Sequence, residues 1–319
     1  MENIKHKNYS VNGINMHVAE IGEGPAVLFL HGFPDIWYSW RHQMVYLATK
    51  GYRAIAPDLR GYGDSDVPEG GATSYTAFHV VGDLVALLKT LDLDKVFLVG
   101  HDWGAVIAWY FVMFRPDLIT ALVNLSVVFR PRNPAIKPLD GFRLLFGDDY
   151  YICRFQAPGE AEEDIGKYDT AELMKAMLTI RDPGPPIIPK EVGFGIFLQI
   201  VPPTLPDWLT MDDVNYYATK FKQTGFTGGF NYYRAMDLNW EMTAAWAGAQ
   251  IKVPVKFMVG ELDLTYHAPG VQDYIHKGGF NKDVPDLQDV VVIKDAAHFV
   301  HQEKPDEINS HIYDFISKF

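Results

Sequence analysis

The sequence predicts an α/β fold with one mostly parallel central sheet, helices on both faces and an inserted helical section. Up to residue 130, short apolar runs of strand length alternate with stretches that carry apolar residues at helical spacing. Residues 131–247 have a helical, proline-interrupted pattern, and the α/β alternation resumes over residues 248–319. We therefore expect a core of residues 1–130 and 248–319, with residues 131–247 forming a cap (lid) over the sheet edge where α/β proteins bind ligands.

The first part of the predicted core begins with a hairpin. Residues 9–21 alternate around Asn12-Gly13, the dipeptide favoured in two-residue hairpin turns. The other elements predicted before the insertion are strands 26–30, 52–56, 96–99 and 121–128, and helices 39–50, 76–91 and 105–115.

Two helices with acidic N-terminal ends, 169–180 and 212–224, are predicted within the insertion. The elements predicted after it are strands 253–259 and 289–293, a helix near 270–277 and a terminal helix from Pro305.

Composition excludes several classes of partner. The 319 residues include 28 basic and 40 acidic side chains, a net charge of −12, which argues against nucleic acid or an anionic membrane. No apolar run is long enough to span a bilayer, so no membrane insertion is expected. The sequence starts with polar residues and lacks an apolar signal core, which predicts a cytosolic protein. Cys153 is the single cysteine, so neither an internal disulfide nor a thiolate metal site is expected. The final Ser317-Lys318-Phe319 resembles a peroxisomal address, but a plain helix end is the favoured interpretation.

The segment Gly100-His101-Asp102-Trp103-Gly104 joins the strand 96–99 to the helix that follows it. Two glycines around one polar residue at such a junction allow a tight turn, and the same frame holds serine in acyl hydrolases. An aspartate there is already ionised and can attack saturated carbon, which forms an alkyl ester of the enzyme. The alternative is that Asp102 only caps the helix. We predict that Asp102 is a nucleophile.

A base and an acid are predicted after the last two strands. His298 would activate the water that cleaves the ester, and Asp263 would orient His298. The chain order nucleophile, acid, histidine is the one used by this arrangement of strands. Their rivals are His301 and Glu261.

The cleavage step also needs donors for a developing oxyanion. The backbone N–H groups of Phe33 and Trp103 are the candidates, since one lies in His31-Gly32-Phe33-Pro34 and the other follows the nucleophile. Pro34 is predicted to follow a cis peptide bond, although the segment could be a simple turn.

These motifs resemble the epoxide hydrolases of the α/β-hydrolase fold, most closely the plant-type soluble ones. The resemblance covers essentially the whole chain, and its motifs are His31-Gly32-Phe33-Pro34, Gly100-His101-Asp102-Trp103-Gly104, Gly260-Glu261-Leu262-Asp263, Ala297-His298-Phe299, Tyr151-Ile152-Cys153-Arg154-Phe155-Gln156 and Asn231-Tyr232-Tyr233-Arg234. It implies that two cap tyrosines grip the epoxide oxygen, and these fall on Tyr151 and Tyr233. Each has a tyrosine neighbour, Tyr150 or Tyr232, so a register one residue away stays open.

The tyrosines favour an epoxide over the substrate of a haloalkane dehalogenase, the alternative with the same Asp-His-Asp core. A halide leaves without a proton, whereas the alkoxide of an opened epoxide needs an acid. The dehalogenase pattern also has Asn where Phe33 stands. A non-catalytic ligand receptor is a further alternative, but all three triad positions are filled.

The expected reaction is therefore cofactor-free and metal-free hydrolysis of small-molecule epoxides to diols. Apolar side chains suggest fatty-acid or aryl and alkyl epoxides, and the predicted pocket residues are Phe33, Trp103, Phe194, Phe197, Leu198, Trp208 and Phe226. The sequence leaves open which carbon is attacked, the enantiomeric preference, and whether the protein is a monomer or a homodimer.

Overall fold

The structure, a computed structural model, describes residues 3–319, so Met1 and Glu2 of the polar start lie outside the described residues. Eight strands form one sheet. They are β1 (Lys5–Val11), β2 (Ile14–Ile21), β3 (Ala26–Leu30), β4 (Arg53–Pro57), β5 (Val96–His101), β6 (Ile119–Leu125), β7 (Val255–Gly260) and β8 (Leu287–Ile293). Their order is β1-β2-β4-β3-β5-β6-β7-β8. The β1–β2 and β2–β4 pairs are antiparallel and the other five pairs are parallel, which confirms the predicted mostly parallel sheet.

The predicted hairpin is confirmed. β1 and β2 are joined at Asn12 (φ 44°) and Gly13 (φ 83°), and both positive φ values suit the tight turn predicted there. One predicted strand end is wrong, because β6 stops at Leu125 rather than at residue 128. Ser126 has φ 75°, which turns the chain out of the extended conformation.

The central strands β3 and β5 are buried along their whole length, which explains their nearly unbroken apolar sequences. Before β6 the sheet is accompanied by three helices, α1 (Arg41–Thr49), α2 (Ala77–Thr90) and α3 (Trp103–Phe114). Helix α3 packs on β3, β5 and β6, so the start of this helix lies over the middle of the sheet.

Residues 126–254, all within the described part of the chain, form helices and add no strand to the sheet. These helices are α4 (Pro138–Phe146), α5 (Tyr151–Arg154), α6 (Glu160–Ile165), α7 (Thr170–Leu178), α8 (Gly195–Leu198), α9 (Met211–Thr224), α10 (Thr227–Arg234) and α11 (Met236–Met242). The two predicted helices are confirmed as α7, capped by Asp169, and α9, which begins with a capping box of Thr210 and Asp213. The predicted cap limits at residues 131 and 247 stay a prediction.

After β7 the chain forms α12 (Val271–His276), α13 (Gly279–Asp283), β8, α14 (Val300–Glu303) and α15 (Pro305–Ile316). Helix α15 packs on α1, which brings the two ends of the core together. Among residues 3–319, none of the helices combines the length and the apolar character that a bilayer crossing requires.

Candidate active site

The predicted nucleophile lies at a sharp turn between β5 and α3. Asp102 has φ 52° and ψ −121°, a conformation that residues with a side chain rarely adopt. The flanking glycines make the turn possible. A Cβ on Gly104 would collide with the carbonyl oxygen of Leu30, and one on Gly100 would lie 2.6 Å from the carbonyl oxygen of Gly104. The two-glycine frame predicts these clashes with a neighbouring strand and helix. Backbone strain such as the positive φ of Asp102 is concentrated at functional sites.

The Asp102 carboxylate faces a backbone amide on one side and an imidazole on the other. The Phe33 N–H donates to Oδ1 of Asp102 at 2.7 Å, and Nε2 of His298 lies 3.5 Å from its Oδ2. Trp103 is the first residue of α3, so its N–H has no carbonyl acceptor within the helix. The Phe33-Pro34 peptide bond is cis, as predicted. The structure therefore shows one candidate oxyanion donor, the Phe33 N–H, in contact with the Asp102 carboxylate, and the role of the Trp103 N–H stays a prediction.

His298 is held by a second carboxylate and by two neighbouring side chains. Its Nδ1 lies 3.0 Å from Oδ1 of Asp263 and 3.3 Å from Oγ of Ser126. Its backbone carbonyl accepts a hydrogen bond from Nε2 of His101 at 2.7 Å. Because Nδ1–H donates to Asp263, Nε2 is left facing the nucleophile. This is the geometry that a nucleophile, a base and an orienting acid require.

The electrostatics of these three groups favour their charged forms. Burial opposes ionisation of Asp102, but His298 and the Phe33 N–H hold the pKa of Asp102 below its ordinary value. Burial also opposes ionisation of Asp263, yet His298 lowers the pKa of Asp263 to about 2. Burial would lower the pKa of His298, but the two carboxylates raise it well above its ordinary value. Before substrate reacts, the site holds two carboxylates and an imidazolium at neutral pH.

Two phenols face the nucleophile from the helical insertion. The rings of Tyr151 on α5 and Tyr233 on α10 have centroids 5.7 Å apart and planes at 76°. Tyr233 also packs edge-on against Trp103, at 5.0 Å between centroids. Burial raises the pKa of both tyrosines well above the ordinary value, and the Asp102 charge adds to this. Both side chains are therefore neutral proton donors at neutral pH.

The neighbouring tyrosines have other contacts. The Tyr232 hydroxyl donates to the carbonyl oxygen of Arg60 at 3.0 Å, and its ring is buried. Tyr150 stacks on Phe146 at 4.4 Å between ring centroids. The contact of Tyr232 favours the predicted register at Tyr233. Tyr150 also lines the larger cavity, but its ring is stacked on Phe146, which favours Tyr151 as the predicted proton donor.

Two cavities meet at Asp102, Tyr151 and Tyr233. The larger has a volume of about 510 Å³, and the smaller about 80 Å³. Aromatic side chains that line the larger cavity include Trp103, Trp109, Phe129, Phe142 and Trp240, and those that line the smaller include Phe33, Phe155, Phe194 and Phe197. The lining is thus rich in aromatic groups, with Asp102 and the two phenols where the cavities meet and a few further polar side chains such as Arg130 in the larger one, as is typical of ligand sites.

Within residues 3–319, three predicted pocket residues do not line either cavity. Leu198 follows Phe197 in the one-turn helix α8, and successive helical side chains point about 100° apart, so only one of the two faces the cavity. Trp208 packs against the core, and Phe226 stacks on Phe221 at 4.8 Å between ring centroids. The structure therefore places Leu198, Trp208 and Phe226 outside the lining of the two cavities at Asp102.

The two rivals of the triad residues have different partners. His301 is fully buried with its Nε2 3.8 Å from Oδ2 of Asp35, whose pKa is raised to about 7 by burial. Glu261 accepts the backbone N–H of Asp295 at 3.0 Å. Neither rival forms a hydrogen bond or ion pair with the nucleophile in the part of the chain that the structure describes.

His101 and Ser126, which the sequence argument missed as parts of the site, both hold His298. Ser126 follows the end of β6, but the sequence places it inside the strand predicted over residues 121–128, so it was not recognised as a residue after a strand. His101 is the residue between Gly100 and the nucleophile. Burial lowers its pKa to about 4, so it stays a neutral donor.

The chain was compared with known proteins. The profile of the α/β hydrolase fold family matches residues 25–151. The chain is 65% identical to epoxide hydrolase 3 of Siraitia grosvenorii, over 100% of both chains. The chain belongs to the epoxide hydrolase family. Among solved structures it is 57% identical to a mutant epoxide hydrolase of Vigna radiata, with a TM-score of 0.98 and 100% of both chains covered. It is also 55% identical to epoxide hydrolase I of potato, with a TM-score of 0.94 over 99% of this chain and 100% of the other.

Membership of this family confirms the predicted resemblance to plant soluble epoxide hydrolases, the predicted fold and the prediction that the protein is a hydrolase. A 37% identical epoxide hydrolase A of Mycobacterium tuberculosis, matched over 96% of this chain, extends the similarity beyond plants.

Proposed function

We propose that this epoxide hydrolase converts epoxides and water to vicinal diols through a covalent ester on Asp102. The observation that carries the proposal is one ionised carboxylate at the junction of two cavities, opposite two neutral phenols. A carboxylate supplies the nucleophile, and a phenol supplies the proton that the opened oxygen takes up.

In the first step, one oxygen of Asp102 attacks a ring carbon, and the bond between that carbon and the epoxide oxygen breaks. The oxygen takes a proton from Tyr151 or Tyr233, which leaves a hydroxyalkyl ester and a tyrosinate. An alkoxide has a basicity near that of hydroxide, with water titrating at about 15.7, so even a phenol of raised pKa is the stronger acid. General acid assistance of this kind contributes roughly 10²–10⁴-fold, or about 3–5 kcal/mol.

The ester changes the charge around His298 and so prepares the second step. Alkylation removes the negative charge of Asp102, one of the two charges that raise the pKa of His298. The imidazolium then gives its proton up more easily, and the neutral ring can take a proton from water.

Water attacks the carboxyl carbon of Asp102, and the oxyanion that forms accepts the N–H groups of Phe33 and Trp103. The ester bond breaks and the diol leaves with the proton that His298 took from water. The tyrosinate has already regained its proton from the imidazolium of the resting state. The second proton of the water stays on the regenerated Asp102 carboxyl and passes to His298, which restores the carboxylate and the imidazolium. Asp263 stabilises the imidazolium each time it forms.

The larger cavity supports an apolar substrate class. Its volume of about 510 Å³ is within the range of about 300–1,000 Å³ found for small-molecule sites. We propose fatty-acid or aryl and alkyl epoxides as substrates. The cap of residues 131–247 would close over them, since both tyrosines come from its helices.

We also propose a cytosolic location, because Cys153 is the single cysteine of the chain. A peroxisomal address at Ser317-Lys318-Phe319 stays a prediction.

The test is a matched pair of double variants. Tyr151→Phe with Tyr233→Phe should slow ring opening by roughly 10²–10⁴-fold while the fold is kept, as circular dichroism would show. The control is Tyr168→Phe with Tyr232→Phe, which removes two phenols of the helical insertion whose hydroxyls donate to the carbonyl oxygens of Val192 and Arg60, and it should keep most of the activity.

Diol formation from lipid, aryl and aliphatic epoxides is the readout, and halide release from chlorinated and brominated alkanes is followed in parallel. Equal activity of the two double variants, or halide release faster than diol formation, would contradict the proposal.

A further inference from the structure

A second cluster of ligand-type side chains lies away from the active site, on the hairpin at the edge of the sheet. Because Asn8 pairs with His17, His6 and His17 are diagonal neighbours on one face of β1 and β2. Nδ1 of His6 lies 3.0 Å from Nε2 of His17. Both histidines line one surface recess together with Asp64 and Lys220, so an ion from solvent can reach them.

The inner histidine of this cluster is already held in a ligand-like orientation. His17 is buried, with 5% of its surface exposed. Its Nδ1 donates to Oδ2 of Asp58 at 2.8 Å, and Asp58 is fixed by the backbone N–H groups of Trp37 and Asp64 at 2.9 and 3.0 Å. With the proton on Nδ1, Nε2 keeps a lone pair, which accepts a hydrogen bond from Nδ1–H of His6. A carboxylate that accepts the other ring N–H is the usual outer partner of a metal-bound histidine.

Asp64 lines the same recess as the two histidines, and its carboxylate already pairs with a cation. Ligand atoms of His17, Asp58 and Asp64 all lie within 4.8 Å of one another. The Lys220 ammonium, on helix α9, lies 2.8 and 2.6 Å from the two oxygens of Asp64. A positive charge is thus favoured beside Asp64, and a lysine of the helical insertion supplies it.

We propose that His6, His17 and Asp64 bind a divalent transition-metal ion of the zinc, nickel and copper class. Two nitrogens bound to one ion at about 2.0–2.1 Å are about 2.9–3.4 Å apart for right-angle to tetrahedral geometry. The observed separation of 3.0 Å lies in that interval. Imidazole ligands suit these ions, whereas Mg²⁺ and Ca²⁺ prefer sites built from oxygen. The ion replaces the hydrogen bond between the two imidazoles and displaces Lys220 from Asp64, and water completes its shell. No step of epoxide hydrolysis uses this site.

The experiment is calorimetric titration of the full chain with ZnCl₂, with MgCl₂ as the control ion. The His6→Ala variant should bind Zn²⁺ at least about tenfold more weakly than the unmodified chain. The matched control is His276→Ala, which removes another exposed histidine and should leave the affinity unchanged. The Lys220→Met variant removes the competing ammonium and should bind Zn²⁺ several-fold more tightly.

The same variants are assayed for diol formation without metal, where His6→Ala should keep the activity of the unmodified chain. Equal Zn²⁺ affinity of His6→Ala and the unmodified chain, or no Zn²⁺ binding by the unmodified chain, would overturn the proposal. If His6→Ala disturbs the edge strand, the Lys220→Met variant tests the proposal instead. An unchanged Zn²⁺ affinity in Lys220→Met would also overturn the proposal.

Discussion

Replacing Asp263 by asparagine should separate the two chemical steps of the reaction. Asp263 contacts His298 and not the attacking carboxylate, so ring opening keeps its nucleophile and its phenols. The later hydrolysis loses the charge that stabilises the imidazolium. The variant should therefore form the ester and then release it slowly.

The structure sets the size of this effect. The pKa of Asp263 falls from 3.8 to about 2 in a fully buried position, which corresponds to about 2 kcal/mol of favourable interaction. Although burial acts in the opposite direction, His298 makes the largest contribution to this lowering of the pKa, and the Thr265 N–H and the Ser126 hydroxyl make smaller ones. Loss of the charge should therefore slow hydrolysis roughly 10–100-fold. The same change in a Ser-His-Asp triad lowers kcat about 10⁴-fold, which sets the upper end.

The assay is rapid quench of enzyme mixed with an epoxide, followed by intact-mass measurement of the protein. Asp263→Asn should accumulate protein carrying the mass of the substrate, whereas the control Asp273→Asn, an exposed carboxylate on α12, should behave as the unmodified chain. Hydrolysis slowed less than about tenfold, or a folded variant that never forms the adduct, would refute the role given to Asp263.

Three further perturbations test neighbouring parts of the account. Lowering the pH from about 7 to about 5 should raise the fraction of enzyme present as the ester in quenched samples. His298, whose pKa is raised, must be neutral to activate water, whereas Asp102, whose pKa is lowered, stays ionised for attack. A constant ester fraction would argue against this assignment. Gly32→Ala places a methyl group against the Asp102 carboxylate. This variant should slow ring opening about 10²-fold in stopped-flow measurements. Ring opening at the normal rate would be inconsistent with the site geometry. Arg130 lines the larger cavity. Arg130→Ala should raise KM about fivefold for epoxides with a free carboxylate but not for their methyl esters. Equal changes in KM for both kinds of substrate would exclude recognition of the carboxylate charge by Arg130.

The parts of the fold and site that the sequence predicts well are those set by local geometry. Gly100 and Gly104 require the turn at Asp102, because a side chain at either position would collide with its surroundings. Asn12-Gly13 sets the hairpin register by itself. His298 and Asp263 were found because polar residues that directly follow parallel strands meet at one edge of the sheet.

The features that escaped prediction depend on packing between distant segments. Ser126 was hidden within a strand predicted too long, and only its positive φ shows where the strand ends. Leu198 was assigned to the pocket because a one-turn helix has too few residues to show a periodicity. The roles of Tyr150 and Tyr232 became distinct only through their contacts with other parts of the chain.

The most direct measurement of the central claim is a single turnover in ¹⁸O-labelled water with enzyme in excess over epoxide. Mass spectrometry of the peptide that contains Asp102 should find one labelled oxygen in that side chain, because water attacks the carboxyl carbon and not the substrate. The first diol released should then be unlabelled, since its new oxygen comes from Asp102. Label in that first diol, with none in Asp102, would show direct attack of water on the epoxide and contradict the covalent mechanism.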